Sequence, residues 1–424
     1  MASTIWKTTN AAGGNPPSLT VNGEPFFARG VCYSPVPWGG NPDWEPNGDF
    51  FFGPWNGVWQ RDIPLMRASG INMIRIYNLL TAFGGWPRDH GPFLDACWNG
   101  GVDPIFVQVG YGDVSNLKAY VPWGATQGAR DAARTAFLQM VTAYRDHPAV
   151  MGFNLGNEIN NGGTIHNSDF WNWLDALAVA TKAAAPDKIT LMSLVDDSME
   201  SVQAGDKLMP HLDLWGINSY RGKIDFPNTN NFDNLWTSFA AASTKPLMLT
   251  EWGAPASSHD AQGNLIFAGP FVAGLNTYIT GHYADIGFNA ATTTSDGGSA
   301  NPNKDRWAPV CVGSAYFEWT DEWWKLDAAY PELKCAATVQ NAGKSANAAF
   351  PGGWGDEECF GLNAINPAGP DPQKRPGPPR PPNAPPNWVS CPGPWNFGTN
   401  QPYPLDELTP RESLATLTRL WKAG

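Results

Sequence analysis

The sequence has no apolar run of about 18 residues, the length a helix needs to cross a bilayer. Its opening, MASTIWKTTNAAGG, has no apolar signal core, so the chain is expected either to stay inside the cell or to begin after a removed signal. Positive charge is scarce: 27 Lys and Arg stand against 39 Asp and Glu, a formal net charge of −12. Neither nucleic acid nor anionic membrane is expected as a partner, because both are bound through basic patches, which this charge disfavours. Six histidines (His90, His147, His166, His211, His259, His282) include no HExxH and no close pair, which disfavours a metal hydrolase. Six cysteines (Cys32, Cys97, Cys311, Cys335, Cys359, Cys391) include no CxxC, so no zinc site is indicated, and nothing points to a cofactor. GYGDVS lacks the Gly-Lys-Ser/Thr ending of a phosphate loop, and no serine elbow accompanies GNEIN.

Tryptophan, by contrast, is abundant: 21 Trp accompany 21 Phe and 11 Tyr. A flat apolar ring that also carries an N–H suits a sugar, although many of these rings are equally suited to filling a core. Several fall in loop-like stretches, WGGNPDWEPNGDFFFGPWNGVW (38–59) and WTDEWW (319–324), where binding is the more natural use. A neutral carbohydrate fits both the aromatic load and the acidic charge.

Alternating apolar and polar residues around Asn22-Gly23 predict a hairpin that feeds a first strand at Phe27. Further strands are expected to start at Ile71, Asp103, Val150, Ile189, Asp213, Lys245 and Ala308. Helical spacing separates many of them, at 58–70, 91–101, 128–149, 168–187, 230–243 and 270–287, with Ser168 and Asp169 as candidate caps of the fourth. Eight strands alternating with helices predict an α/β fold, a (β/α)8 TIM barrel with an N-terminal hairpin. The closing helix, 408–424, is expected to be capped by Thr409 with Pro410 at its first position. It lies far beyond the eighth strand, after a Pro-rich stretch that includes QKRPGPPRPPNAPPNW. The whole chain, 1–424, is therefore read as one catalytic barrel domain, with 320–407 a long loop excursion over the active face. Three of the cysteines lie in that irregular excursion, and at least one disulfide is expected there.

In such a barrel the active site is built at the C-terminal ends of the strands. Glu158 ends the fourth strand, in FNLGNEIN, and Glu251 ends the seventh, in LMLTEWG. Hydrolysis of a glycosidic bond needs two carboxyl groups, one to protonate the leaving oxygen and one to attack the sugar carbon or activate water. At these residues the sequence resembles the clan A retaining glycoside hydrolases. TVNGEPFFARGVCY is similar to the leading hairpin and first strand of family 2-type barrels, GINMIRIYN carries the second-strand arginine, and GSAYFEWTDEWWK resembles the eighth strand of bacterial family 2-like and β-1,3-glucan-active relatives.

The resemblance implies catalytic roles for Glu158 as general acid/base and Glu251 as nucleophile. It implies substrate-binding or supporting roles for Asn157 (the sugar 2-hydroxyl), Arg75 and Tyr220 (both beside Glu251), Trp319 (a platform beneath the sugar) and Trp252 (a wall of the site). Glu318, Asp321 and Glu322 are further candidates, with Glu322 placed in an aromatic subsite; a solvated turn is the alternative. Arg75 also reads as a core ion-pair partner, and Tyr220 as a strand-end aromatic. The expected activity is retaining hydrolysis of a β-linked oligosaccharide or polysaccharide, a β-glucan first, with transfer to an acceptor sugar as a variant outcome. β-Mannan, β-galactoside and a non-catalytic carbohydrate-binding barrel remain alternatives. Such a substrate suggests an extracellular or periplasmic setting, with a cytoplasmic one left open; composition does not bear on oligomeric state.

Overall fold

In a computed structural model of the chain, residues 3–37, 48–83, 86–111, 127–160, 164–222, 231–259, 265–266, 270–298, 304–322, 357–366 and 405–423 are described. Eight parallel strands close a barrel: β1 (Ala28–Cys32), β2 (Met73–Ile76), β3 (Phe106–Val109), β4 (Val150–Asn157), β5 (Ile189–Val195), β6 (Leu214–Asn218), β7 (Leu247–Trp252) and β8 (Cys311–Tyr316). They pair in chain order, and β8 returns to β1 with Tyr316 opposite Val31. A helix follows each strand: α1 (Asn56–Ala68), α2 (Gly91–Trp98), α3 (Gln127–Tyr144), α4 (Ser168–Ala184), α5 (Glu200–Gly205), α6 (Leu235–Ala242), α7 (Pro270–Phe288) and α8 (Glu412–Ala423). This is the α/β barrel that the alternation of strands and helices predicts.

The strands read as apolar runs because both faces are covered. One set of alternate residues, including Ala28, Cys32, Met73, Phe106, Leu191 and Met248, fills the barrel interior. The opposite set, with Ile74, Val107, Leu249 and Trp252 among it, packs against the helices. At the N-terminal end the interior is plugged by Trp6, whose ring meets Phe106 (4.8 Å) and Phe26 (4.9 Å) edge to face. Trp6 comes from a strand, Trp6–Thr9, that the hairpin reading omitted; it pairs with Ser18–Val21, which turns through Asn22 and Gly23, both at positive φ, into Glu24–Pro25. Positive φ at two successive central residues is what the Asn-Gly pair supplies.

Several helix boundaries differ from expectation. The cap of α4 is Asn167, one residue before the expected Ser168, and its side chain accepts the Asp169 N–H at 2.9 Å. Thr409 and Pro410 do not begin α8. They belong to a strand, Glu407–Pro410, paired with Asn363–Asn366, and the Thr409 hydroxyl accepts from Asn366 Nδ2 at 2.6 Å. A pairing partner from within the excursion thus outcompeted the local capping signal. Helix α5 is only six residues long, too short to leave a 3.6-residue pattern in the sequence. Four cysteines, Cys32, Cys97, Cys311 and Cys359, are buried free thiols, so the expected disulfide does not involve them. Cys335, Cys391 and the Pro-rich 373–388 stretch lie outside the described residues, as do residues 38–47 of the first aromatic loop.

Lys188 ties the N-terminal segment to the barrel floor, donating to the Thr4 carbonyl and hydroxyl (each 3.1 Å) and to the His147 carbonyl (3.3 Å). Burial lowers its pKa from 10.5 to about 8, against the raising influence of Asp187 and Asp146. The unfolded chain therefore binds more protons between these values, and the stability that Lys188 contributes is complete above 10.5 and lost as pH falls towards 8. Denaturant unfolding of the wild type and Lys188→Met across this window should show a rise with pH in the wild type that the variant lacks. Parallel curves would refute the assignment.

Candidate active site

At the mouth of the barrel Arg75, Asn157, Glu158, Asn218, Tyr220 and Glu251 come together. Arg75 and Tyr77 are two residues apart on β2 and its continuation, so both face inward. Arg75 is almost wholly buried and forms an ion pair with Glu251 Oε1 through Nη1, while its Nη2 donates to Asn157 Oδ1. Tyr77 donates to Glu251 Oε1 at 2.7 Å and accepts from Arg75 Nη1 at 2.9 Å. From the other side the Tyr220 hydroxyl donates to Glu251 Oε2 at 2.7 Å. Both oxygens of Glu251 are acceptors in these bonds. Burial opposes the charge of Arg75, but Tyr77, Glu251 and Cys32 outweigh it and raise its pKa.

Asn157 and Glu158 are consecutive, and regular strand alternation would send them to opposite faces. Two departures bring them together. The β4–β5 register shifts between Leu191 and Ser193, and Glu158 adopts φ 52°, in the left-handed region. As a result one amide, Asn218 Nδ2, donates to both Asn157 Oδ1 (3.1 Å) and Glu158 Oε1 (2.9 Å). The Thr250 hydroxyl donates to Asn218 Oδ1 at 2.7 Å and so sets which end of that amide faces Glu158.

The two glutamates live in different surroundings. Glu158 has its pKa raised from 4.5 to about 7, first by burial, then by the negative charges of Glu251 and Glu357, with Asn218 and Arg75 opposing. A group that is protonated near neutrality can deliver a proton and later take one back. Beside it a cavity is lined by Arg75, Tyr77, Tyr111, Asn154 and Asn157.

One tryptophan expected here is elsewhere. Trp252 follows Glu251, so when the glutamate faces inward the indole faces the helices: it is fully buried, stacked on His282 (6.2 Å, 12°) and edge-on to Tyr316 (5.1 Å). Trp319 is fully buried. Trp252 presents no ring face at the site, and among the described residues Phe317 (6.2 Å) and Phe360 (5.7 Å) pack on Tyr220. Glu318, Asp321 and Glu322 are buried, so they do not form a solvated turn; Asp321 grips Arg411 with both oxygens (2.6 and 2.7 Å). Trp323 and Trp324 lie outside the described residues. Tyr77, Asn218 and Thr250 were not singled out in the sequence, although the period of two marks Tyr77 from Arg75 and Asn218 from Tyr220.

No protein-family model matches the chain. It is 24% identical over 308 residues to the 1,3-beta-glucanosyltransferase gas5 of Schizosaccharomyces pombe, covering 66% of this chain and 55% of that protein. To the 1,3-beta-glucanosyltransferase GAS4 of Saccharomyces cerevisiae it is 26% identical over 251 residues, covering 55% and 50%. The chain thus spans about half the length of these curated relatives. Among solved structures, the Faecalibacterium prausnitzii beta-glucuronidase matches with TM-score 0.55 and 16% identity, over 96% of this chain and 50% of that one. A GH2 beta-galacturonidase from Eisenbergiella tayi matches with TM-score 0.54 and 11% identity, over 99% and 54%. At these identities the structures share the fold. Together with the sequence matches, they agree with the resemblance to clan A barrels drawn from FNLGNEIN and LMLTEWG.

The raised pKa of Glu158 has two measurable consequences. In 13C-glutamate NMR its carboxyl should titrate at about 7, and Glu251→Gln should lower that value, because removing a negative neighbour eases ionisation. The native state also binds this proton more tightly than the unfolded chain, so ionising Glu158 costs stability as pH rises from 4.5 to about 7. Glu158→Gln should therefore be more stable than the wild type above this window and gain nothing below it, as read by thermal melts.

Proposed function

We propose that the protein is a retaining β-glycoside hydrolase or transglycosylase acting on a β-glucan, with β-1,3-linked chains as the first candidate. The observation that carries this reading is the contrast between the two strand-end glutamates: Glu251 accepts from Arg75, Tyr77 and Tyr220, while burial and neighbouring negative charge keep a proton on Glu158 up to about 7. In the first step Glu251 attacks the anomeric carbon while Glu158 protonates the departing oxygen, giving a glycosyl-enzyme. In the second, Glu158 takes a proton from water or from an acceptor hydroxyl, which attacks the same carbon and releases Glu251. Asn157, whose oxygen is occupied by Arg75 and Asn218, has its amide N–H groups to offer the sugar 2-hydroxyl. The Arg75–Glu251 and Tyr220–Glu251 contacts support the positioning roles assigned to them; Trp252, turned to the helix layer, has no part in this scheme, and Trp319 stays the candidate platform beneath the sugar.

Transfer as well as hydrolysis is supported by similarity to proteins named glucanosyltransferases. A polymeric β-glucan would place the enzyme outside the cytoplasm, in an extracellular or periplasmic setting. No helix among the described residues is long and apolar enough to cross a membrane.

Purified protein incubated with β-1,3-gluco-oligosaccharides should release a β-configured reducing end by NMR, together with products longer than the substrate by mass spectrometry. β-Mannan, aryl β-galactoside and aryl β-glucuronide serve as competing substrates. Glu158→Gln should lose roughly 10²–10⁴-fold in turnover, the usual worth of a general acid/base, and Glu251→Gln at least as much. An α-configured product would exclude the double displacement, and turnover unaffected by either change would exclude the site.

A further inference from the structure

Beyond β8, residues 357–366 are stitched against both the strand-seven and the strand-eight ends. Ala256 N–H donates to the Cys359 carbonyl (2.7 Å), Leu362 N–H to the Glu318 carbonyl (2.8 Å) and Asn363 N–H to the Trp319 carbonyl (3.0 Å). Gly361 packs so closely on residue 321 that an added Cβ would lie 2.2 Å from the Asp321 nitrogen, and the Gly361 N–H donates to Asp321 Oδ1 at 3.0 Å. Arg411, just before α8, closes the clasp by holding the Asp321 carboxylate, the Gly361 carbonyl and, through its own N–H, the Leu362 carbonyl (2.9 Å). This framework delivers the Phe360 ring to the site. Phe360, Phe317 and Tyr220 form a three-ring cluster with every pair edge to face, at centroid distances of 5.6 to 6.2 Å. Phe360 is 1% exposed, so its ring braces Tyr220 rather than offering a face to substrate.

We propose that Phe360 is a positioning residue for the nucleophile: its ring, clamped by the Arg411–Asp321 clasp, holds Tyr220 where the hydroxyl donates to Glu251. The inference rests on the glycosidase reading for its kinetic consequence, though not for its structural one. Tyrosine has two ways to satisfy its hydroxyl, a fixed partner or water, and the rotation between them is blocked only by what packs on the ring. Residues 357–366 are thereby made part of the catalytic apparatus, because they set the donor geometry at the nucleophile.

The test uses the full chain labelled with [13Cζ]tyrosine, the Tyr220 signal being assigned with Tyr220→Phe. Phe360→Ala, with Phe360→Leu as a milder variant should the first fail to fold, should move the Tyr220 resonance, while Phe360→Tyr should leave it near its wild-type position. In parallel, a 2-deoxy-2-fluoro β-glucoside traps the glycosyl-enzyme on Glu251. Phe360→Ala or Phe360→Leu should slow trapping by about tenfold, a barrier change on the order of one aromatic contact. The same change added to Tyr220→Phe should cost less than about twofold more, since residues acting through one group are non-additive. An unmoved Tyr220 resonance, or losses that multiply in the double variant, would overturn the proposal. If the wild type is not trapped at all, the glycosidase reading fails, and the Tyr220 resonance alone still decides whether Phe360 braces that ring.

Discussion

A buried ion pair between Arg75 and Glu251 lies at the centre of the barrel mouth, and the surrounding residues are arranged to make it tolerable. Arg75 is 1% exposed and Glu251 5%. Removing one partner of such a pair leaves an uncompensated buried charge, at a cost of about 3–5 kcal/mol. The pair links β2 to β7 across two intervening strands, so it exists only when the barrel is closed. Tyr77, Tyr220 and Asn157 add further hydrogen bonds to the two charges, while Arg75 Nε is buried with no partner among the described residues. Donors fixed in place around a carboxylate are the arrangement that gives electrostatic stabilisation without reorganisation.

Around that pair, two chemically identical side chains acquire different characters. Glu251 is surrounded by donors, whereas Glu158 has one amide from Asn218 and two acidic neighbours, Glu251 and Glu357. The two members of the ion pair act on Glu158 in opposite directions, Glu251 raising its pKa and Arg75 lowering it, and burial is the larger cause of the rise. The local break at Glu158, a left-handed residue at a register shift, keeps Asn157 and Glu158 on one amide. Strain of this kind is uncommon for a residue other than glycine and is characteristic of places where function over-determines the backbone.

Much of this was legible in the sequence, for reasons that can be named. The strands were visible because parallel strands buried on both faces are apolar throughout, as in ITLMSLV and KPLMLTEWG. Glu158 and Glu251 were found by their places at strand ends, and Arg75, Asn157 and Tyr220 through the resemblance to clan A barrels. Tyr77 and Asn218 were within reach of the same logic, two residues from Arg75 and Tyr220, but alternation was not carried that far. Trp252 was misplaced because a tryptophan beside a strand-end glutamate suggests a wall of the site, whereas alternation sends the residue next to an inward Glu251 outward into the helix layer. The caps of α4 and α8 failed by competition: Asn167 had a free choice of N–H partner one residue earlier, and Thr409 was engaged by Asn366.

By itself the sequence determined the barrel, the order of its strands, the acidic character that disfavours polyanions and the placing of one glutamate at the end of strand four and another at the end of strand seven. These follow from periodicity, composition and chain order, all of which are local or additive properties. Only the tertiary structure decided which tryptophans are core, which hydroxyls reach Glu251, why Glu158 holds its proton, and that Phe360, more than forty residues beyond β8, packs against Tyr220. Each of these depends on contacts between residues distant in the chain, where register, burial and a shared hydrogen-bond donor set the outcome.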